Sequence, residues 1–480
     1  MRGEPDVREI YDLNIRLLSN YLCYVVIYGL AKVVDMMTAA KIFVAWYVVG
    51  LPWMAYAWLR RVNPENVILA LAVPILTPSL FLAKGNLNFC AGLVIYLAGL
   101  WVVEDHKARS GWLAFRMSLL SILLFFTHGL VSLTLMGAIL CLTVIESKRR
   151  AIFCAVGILP GAALFAAMFL KQTASGDASR AMEPIFSAPD RTLFTDAFGW
   201  MVSPFGWGLD SYPALVVVLI LAVLVVLTLL ESIRCWSDVS LGECLKLNRI
   251  GVVSVFLCMG YVLAPVRLAD WGHLRVRFLP LAAFTLLGWI RAPRRGPTSW
   301  ILISVFAISS FSTGARTVRE YTRGSDRVVE YLKGLDAVEP GTSIIPIDID
   351  DVEEKDVRTN LHSWAYYEMA RGGWTPYLHA YPTYHPVVYK TKPWAPSEDL
   401  RGQVLAEPDL VHISACYDYV LLWTGLSGLE DVWETALTLY YEPLYRSADL
   451  VVWRNKQGIR RASPASRACA EAAGTVGPPR

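Results

Sequence analysis

Apolar runs, each about as long as a bilayer is thick, fill residues 21–314 and are separated by short charged connections. A hydrocarbon core about 30 Å thick takes about 20 apolar residues per helical crossing. Residues 151–170 and 213–230 meet that requirement with no interior charge. The pattern predicts ten spans, at 41–59, 67–83, 89–103, 112–128, 130–145, 151–170, 213–233, 250–265, 277–290 and 299–313. An eleventh run, 21–34, is short and contains Lys32, so it either crosses or lies along the interface as an amphipathic or re-entrant piece.

Beyond residue 314 the pattern becomes that of a water-soluble domain. Residues 315–335 alternate as an amphipathic helix stopped by Gly334. The stretch 341–350 (GTSIIPIDID) reads as a buried strand after a Pro-Gly turn, and 417–423 (YDYVLLW) as a second. A helix at 429–440 and a hairpin-like pair within 441–454 follow. Short apolar strands among helices argue a small α/β domain. The expected organisation is a polar N-terminal segment at 1–20, a transmembrane domain at 21–314, a soluble domain at 315–456 and a disordered tail at 457–480. The fold class is therefore mainly α: a polytopic transmembrane bundle of about 10–11 helices with a C-terminal extracytoplasmic α/β domain.

Composition sharpens this picture. The 480 residues are 55% hydrophobic and 18% charged, with a mean hydropathy of +0.43. Soluble domains carry about 25% charged residues. A net charge of +3 gives no argument for a nucleic-acid partner. The nine cysteines contain no CxxC pair, so neither a disulfide framework nor a metal centre is expected. The segment 1–20 is polar and charged, unlike a cleavable signal peptide.

The distribution of charge orients the chain. Arg60 and Arg61, Lys107 and Arg109, Lys148 to Arg150, Arg234 with Lys246 and Arg249, and Arg291 with Arg294 and Arg295 fall in alternate connections. The other set is sparser: Lys84, then Lys171, Arg180 and Arg191 spread over a long loop, then Arg267, Arg275 and Arg277. The denser set belongs in the cytoplasm, which puts the C-terminal domain on the outer face of a cell membrane, here read as a bacterial inner membrane.

Polar groups at membrane depth are functional candidates. Lys84, Asn86 and Asn88 form a polar turn between two apolar runs, and His128 stands between two more. A solvated hairpin turn and a structural histidine are the plain alternatives. The run 267–277 holds Arg267, Asp270, His273, Arg275 and Arg277, the densest polar cluster of the proposed outer side. Arginine forks bind phosphate oxygens in pairs, so a lipid phosphate or pyrophosphate headgroup suits it, as would ordinary anionic lipid. The loop 171–212 mixes carboxylates, Asp196 and Asp210 among them, with aromatics that suit either sugar faces or an interfacial belt. No nucleotide-binding or nucleophile-elbow motif is present.

The blocks LFLAKGNLNFCAGLVIYLAGLW (80–101) and LLFFTHGLVSLTLMGAIL (123–140), with RFLPLAA (277–283) and the YDYVLLW strand, resemble polytopic GT-C glycosyltransferases. The likeness runs over residues 12–453 as pattern and order, without a strict signature. It implies transfer of a sugar, retaining or inverting, from a polyprenyl-phosphate donor to an envelope glycan or lipid on the outer face. It also implies that Lys84, Arg267, His273, Arg275 and Arg277 hold the lipid phosphate. In that family the catalytic carboxylate follows a first transmembrane helix. Here nothing apolar precedes the acidic stretch 1–20, so the first helix is missing from the pattern, and Asp12 is the favoured residue in the matching place, with Asp196 and Asp210 as alternatives. Two other classes compete: a non-catalytic protein of polysaccharide assembly, and a transporter, which would show internal repeats and midplane charges that this chain lacks.

Overall fold

The computed structural model describes residues 10–14, 17–106, 108–174, 201, 212–265, 274–293, 296–348, 363–377, 387–390, 407–424 and 430–459. The chain is mainly helical and divides into two units, Leu17–Val318 and a second made of Met1–Arg16 with Arg319–Arg480.

Among the described residues, seven helices are long and apolar enough to cross a membrane, or eight if a pair bent by 76°, Leu241–Leu247 and Arg249–Leu263, counts as one span. This is fewer than the ten or eleven apolar runs predict, and the shortfall has a local cause. Leu87–Val103 and Phe278–Trp289 are apolar but have only 17 and 12 residues. The last span also differs from expectation. It does not stop at 313 but continues through the predicted amphipathic stretch as one helix, α13, Pro297–Leu332. No proline or paired glycine interrupts residues 298–332, so no residue type there ends the helix.

Capping residues set the ends. The carboxylate of Asp35 accepts from Thr38 N at 3.0 Å to start α2 (Met36–Val62), after the short α1 (Leu22–Leu30). Ser240 and Glu243 form a reciprocal capping box on Leu241–Leu247. Asn66 is fully buried and does the opposite job. Its amide nitrogen donates to Leu287 O at 3.3 Å and to Ile290 O, while its oxygen accepts from Ala292 N at 3.1 Å. It thereby closes the C-terminus of Phe278–Trp289, whose last carbonyls have no partner within the helix.

Without a hydrophobic force between helices in lipid, small residues decide which backbones approach closely. Gly157 and Gly161, one turn apart in α8 (Lys148–Ala174), pack on α6 (Ser110–Thr127). A Cβ at Gly157 would come within 2.7 Å of Ala114 O, and one at Gly161 within 2.8 Å of Ser121 O. Elsewhere the helices present apolar side chains outward. On α9 (Tyr212–Asp238), Leu219, Val223, Val226 and Leu230 are all about half exposed, as a lipid-facing surface requires.

The second unit is built on a four-stranded sheet of order β2-β4-β6-β5: Ile344–Asp348, Tyr419–Trp423, Leu450–Asn455 and Tyr441–Arg446. β2 and β4 run parallel and the others antiparallel. Every residue of the central β4 is buried, which is why it reads as an unbroken apolar run. One face packs Ile345, Val420, Trp433 and Trp453, and the other Tyr331, Trp364, Leu421 and Trp423. A two-stranded ribbon, β1 (Tyr11–Leu13) with β3 (Val387–Tyr389), belongs to the same unit. Cys416 is disulfide-bonded, although the cysteine spacing implies no disulfide framework.

Candidate functional site

In the helical unit, three segments converge at the start of α7 (Gly129–Glu146). His128 is the N-cap residue of that helix and is buried. Phe89, from α5 (Leu87–Val103), meets the imidazole edge to face at 5.2 Å. The 3-10 turn Arg275–Arg277 brings Arg277 Nη1 to 2.7 Å from His128 Nε2, with its guanidinium 5.8 Å from the Phe89 ring. Arg275 is also buried and lies 5.8 Å from the Tyr261 ring.

This site has more donors than acceptors. The Nε atoms of Arg275 and Arg277 are buried and lack a hydrogen-bond partner, as is the hydroxyl of Ser132, one turn along from His128. Among the described residues neither arginine forms an ion pair. The imidazole cannot make up the deficit. Its Nδ1 faces Val131 N at 3.5 Å and its Nε2 faces the guanidinium. Both neighbours are donors, and a neutral imidazole has one acceptor nitrogen. Protonating the ring would add a positive charge and remove that acceptor. An uncompensated buried cation costs several kcal/mol, roughly, even after relaxation. An anion beside His128 would give Arg277 the acceptor that it lacks.

A second polar cluster joins the other ends of the same helices and resolves differently. Arg249 bridges Glu104 (Nη2 to Oε2, 2.5 Å) and Glu146 (Nη1 to Oε2, 2.5 Å). His106 adds a contact to Glu146 at 3.0 Å, and Arg116 pairs with Asp105 at 3.0 Å. Arg61 lies over the Trp101 ring at 3.8 Å. Here carboxylates and guanidinium groups balance, so the cluster acts as a clamp between helix ends. In the sequence, Arg61 and Arg249 bear on orientation alone; the acidic residues ending two apolar runs, Glu104 and Glu146, are the available signal for their partners.

The remaining predicted site residues are placed as follows. Asn88 gives both ends of its amide to backbone, accepting from Cys23 N at 2.9 Å and donating to Asn20 O at 2.7 Å. It fixes the start of α1. Asn86 begins α5 without a side-chain cap bond, and Lys84 is exposed beside Gly85, whose φ is +71°. Asp12 is exposed, accepts from Leu13 N at 2.9 Å, and belongs to the second unit rather than to that of His128 and Arg277. Asp196, Asp210, Arg267 and His273 lie outside the described residues.

The second unit holds one group that sequence reasoning did not single out. Glu368, half-buried on the helix Ala365–Arg371, accepts from Tyr11 Oη at 3.3 Å. Burial pushes its carboxyl up to about 8, and the Tyr11 and Thr375 hydrogen bonds pull only part of the way back.

No family model, curated protein or solved structure matches the chain. Among the described residues no cluster of His, Cys, Asp and Glu could hold a metal ion.

Proposed function

We propose that the chain is a multi-pass protein of a cell membrane that holds the phosphate of a polyprenyl-linked sugar at His128, Arg275 and Arg277, and passes the sugar to an envelope glycan or lipid in the manner of a GT-C glycosyltransferase. One observation carries the reading: Arg277 meets His128 at 2.7 Å, and the buried Nε atoms of Arg277 and of its near neighbour Arg275 have no hydrogen-bond partner, nor either arginine an ion pair, among the described residues. A phosphate monoester or diester offers several acceptor oxygens and the missing charge. The same groups would stabilise the charge that grows on a departing prenyl phosphate. The sugar-transfer half of the proposal rests on the GT-C resemblance.

Two observations support placing the soluble domain on the outer face. The denser basic connections lie opposite it by alternation of spans. The disulfide at Cys416 also suits an oxidising compartment.

The test is binding of a labelled polyprenyl phosphate to the purified full-length protein in lipid nanodiscs. Arg277→Gln is expected to weaken binding at least tenfold, whereas Arg291→Gln, at an exposed pair with Glu231, leaves it unchanged. Equal binding by the Arg277 variant would end the reading. A second reading, lipid-phosphate binding without transfer in polysaccharide assembly, is favoured by the lack, among the described residues, of a carboxylate paired with His128 or Arg277. Binding retained in a variant with Asp12, Asp196 and Asp210 all changed to Asn, with the glycan also unaltered in cells, would select it.

A further inference from the structure

The strand that precedes the first helix is built into the domain that follows the last one. Tyr11, Asp12 and Leu13 stand opposite Tyr389, Val388 and Val387 in antiparallel register, and Lys390 N donates to Ile10 O at 2.9 Å. Ile10 and Tyr11 are buried in the core that contains Ile345, Trp374 and Trp453. The Tyr11 hydroxyl adds the bond to Glu368, 357 positions away in the chain. A strand whose backbone and side chains are satisfied inside a folded domain is on the same side of the bilayer as that domain, because an open strand cannot reach it through hydrocarbon.

We infer that the chain begins and ends its passage through the membrane on one face, so that an even number of crossings separates Leu13 from Arg319. The parity decides the one segment that the apolar pattern left open. Among the described residues, seven long apolar helices, the bent pair 241–263 and the two shorter helices Leu87–Val103 and Phe278–Trp289 make ten legs. Counting α1 as an eleventh would put the two partner strands on opposite faces. With nine residues at about 1.5 Å each, α1 also covers only about half of a 30 Å core.

Its surface fits an interfacial helix. Tyr24, Val25 and Tyr28 are exposed, and Lys32 Nζ lies 4.2 Å from the Tyr28 ring centre. An apolar face ending in aromatic hydroxyls and a lysine is what lies comfortably at the headgroups. The β1–β3 pairing thus acts as a non-covalent tie between the segment before the first helix and the domain after the last one. The inference holds for either face and does not depend on what the arginine site binds.

Epitope tags at Met1 and Arg480 of the full chain, probed in intact cells and in inverted vesicles, test the parity. Both tags are expected to be accessible together in one preparation and protected together in the other. Tags on opposite faces overturn the inference. A second variant tests the tie. Asp12→Cys with Val388→Cys places two thiols at facing positions, whose Cα separation of about 4.5–5.5 Å in an antiparallel pair suits a disulfide. Mild oxidation in membranes is expected to join the peptides carrying positions 12 and 388, read by mass spectrometry. Same-side tags without that cross-link would overturn the strand pairing as the cause.

Discussion

Arg277 approaches His128 where a buried arginine would ordinarily meet a carboxylate, with Nη1 and Nε2 2.7 Å apart. His128 sits at the N-cap of the helix that begins at Gly129, and Arg277 reaches it from the turn Arg275–Arg277. Buried donors without acceptors are unfavourable when the site is empty and are satisfied when an anion fills it, as in a binding site.

His128→Glu therefore has opposite effects on stability and function. The new carboxylate would supply the missing partner of Arg277, so the thermal midpoint of the purified protein is expected to rise by a few degrees, corresponding to roughly 1 kcal/mol or more. The same substitution fills the anion position, and polyprenyl-phosphate binding is expected to fall at least tenfold. A variant that lost stability along with binding would show instead that the imidazole is held by packing alone.

Arg249 behaves in the reverse sense. It is the cation shared by Glu104, which is 3% exposed, and Glu146. Both carboxylates stand at helix C-termini, where the helix dipole already disfavours negative charge. Removing the guanidinium in Arg249→Met leaves them facing each other, with an expected loss of about 3–5 kcal/mol. Adding Glu104→Gln is expected to restore a substantial part. Thermal melts of the single and double variants measure the difference.

How much of this could be read from the chain follows from what each feature depends on. Helices long and apolar enough to cross a membrane and the central strand at 419–423 depend on local composition, and the pattern showed both. The long final helix depends on the absence of a breaker near Gly314, which a change of composition at that point concealed. Arg275 and Arg277 stand out together in the run 267–277 and His128 by itself, but the contact of His128 with Arg277 depends on tertiary packing over 149 positions. The β1–β3 pairing left the weakest trace, since three residues carry no periodicity that a reader could use. Asp12 attracted attention for its charge, whereas its neighbour Tyr11 is the residue that the fold buries.

Asn66 provides a test of the helical unit free of charge effects. Its amide serves Leu287, Ile290 and Ala292 at the end of one helix. Asn66→Ala removes a donor and an acceptor together and leaves buried backbone groups unmet, at an expected cost of about 1–3 kcal/mol. Asn66→Asp keeps the shape and the acceptor but brings a carboxylate against two carbonyl oxygens, and should be the worse of the two. Equal melting of both variants and the parent would show that water replaces the amide.

Glu368 gives the second unit a pH dependence whose sign can be worked out. Its folded pKa of about 8 stands above the ordinary value of 4.5 because burial disfavours the charged form. The folded state therefore binds a proton that the unfolded chain has already released between those two values. Its contribution to stability is fully present below about 4.5 and is lost as the pH rises through about 8. Glu368→Gln cannot ionise, so its melting temperature relative to the parent is expected to climb steadily from pH 5 to pH 9. Tyr11→Phe removes a hydrogen bond that lowers the carboxyl pKa. In that variant the loss of stability should extend to higher pH, and the β1 strand should become easier to cleave. A flat difference between parent and Glu368→Gln across the range would mean that the carboxyl is ionised throughout and that Tyr11 donates to a carboxylate.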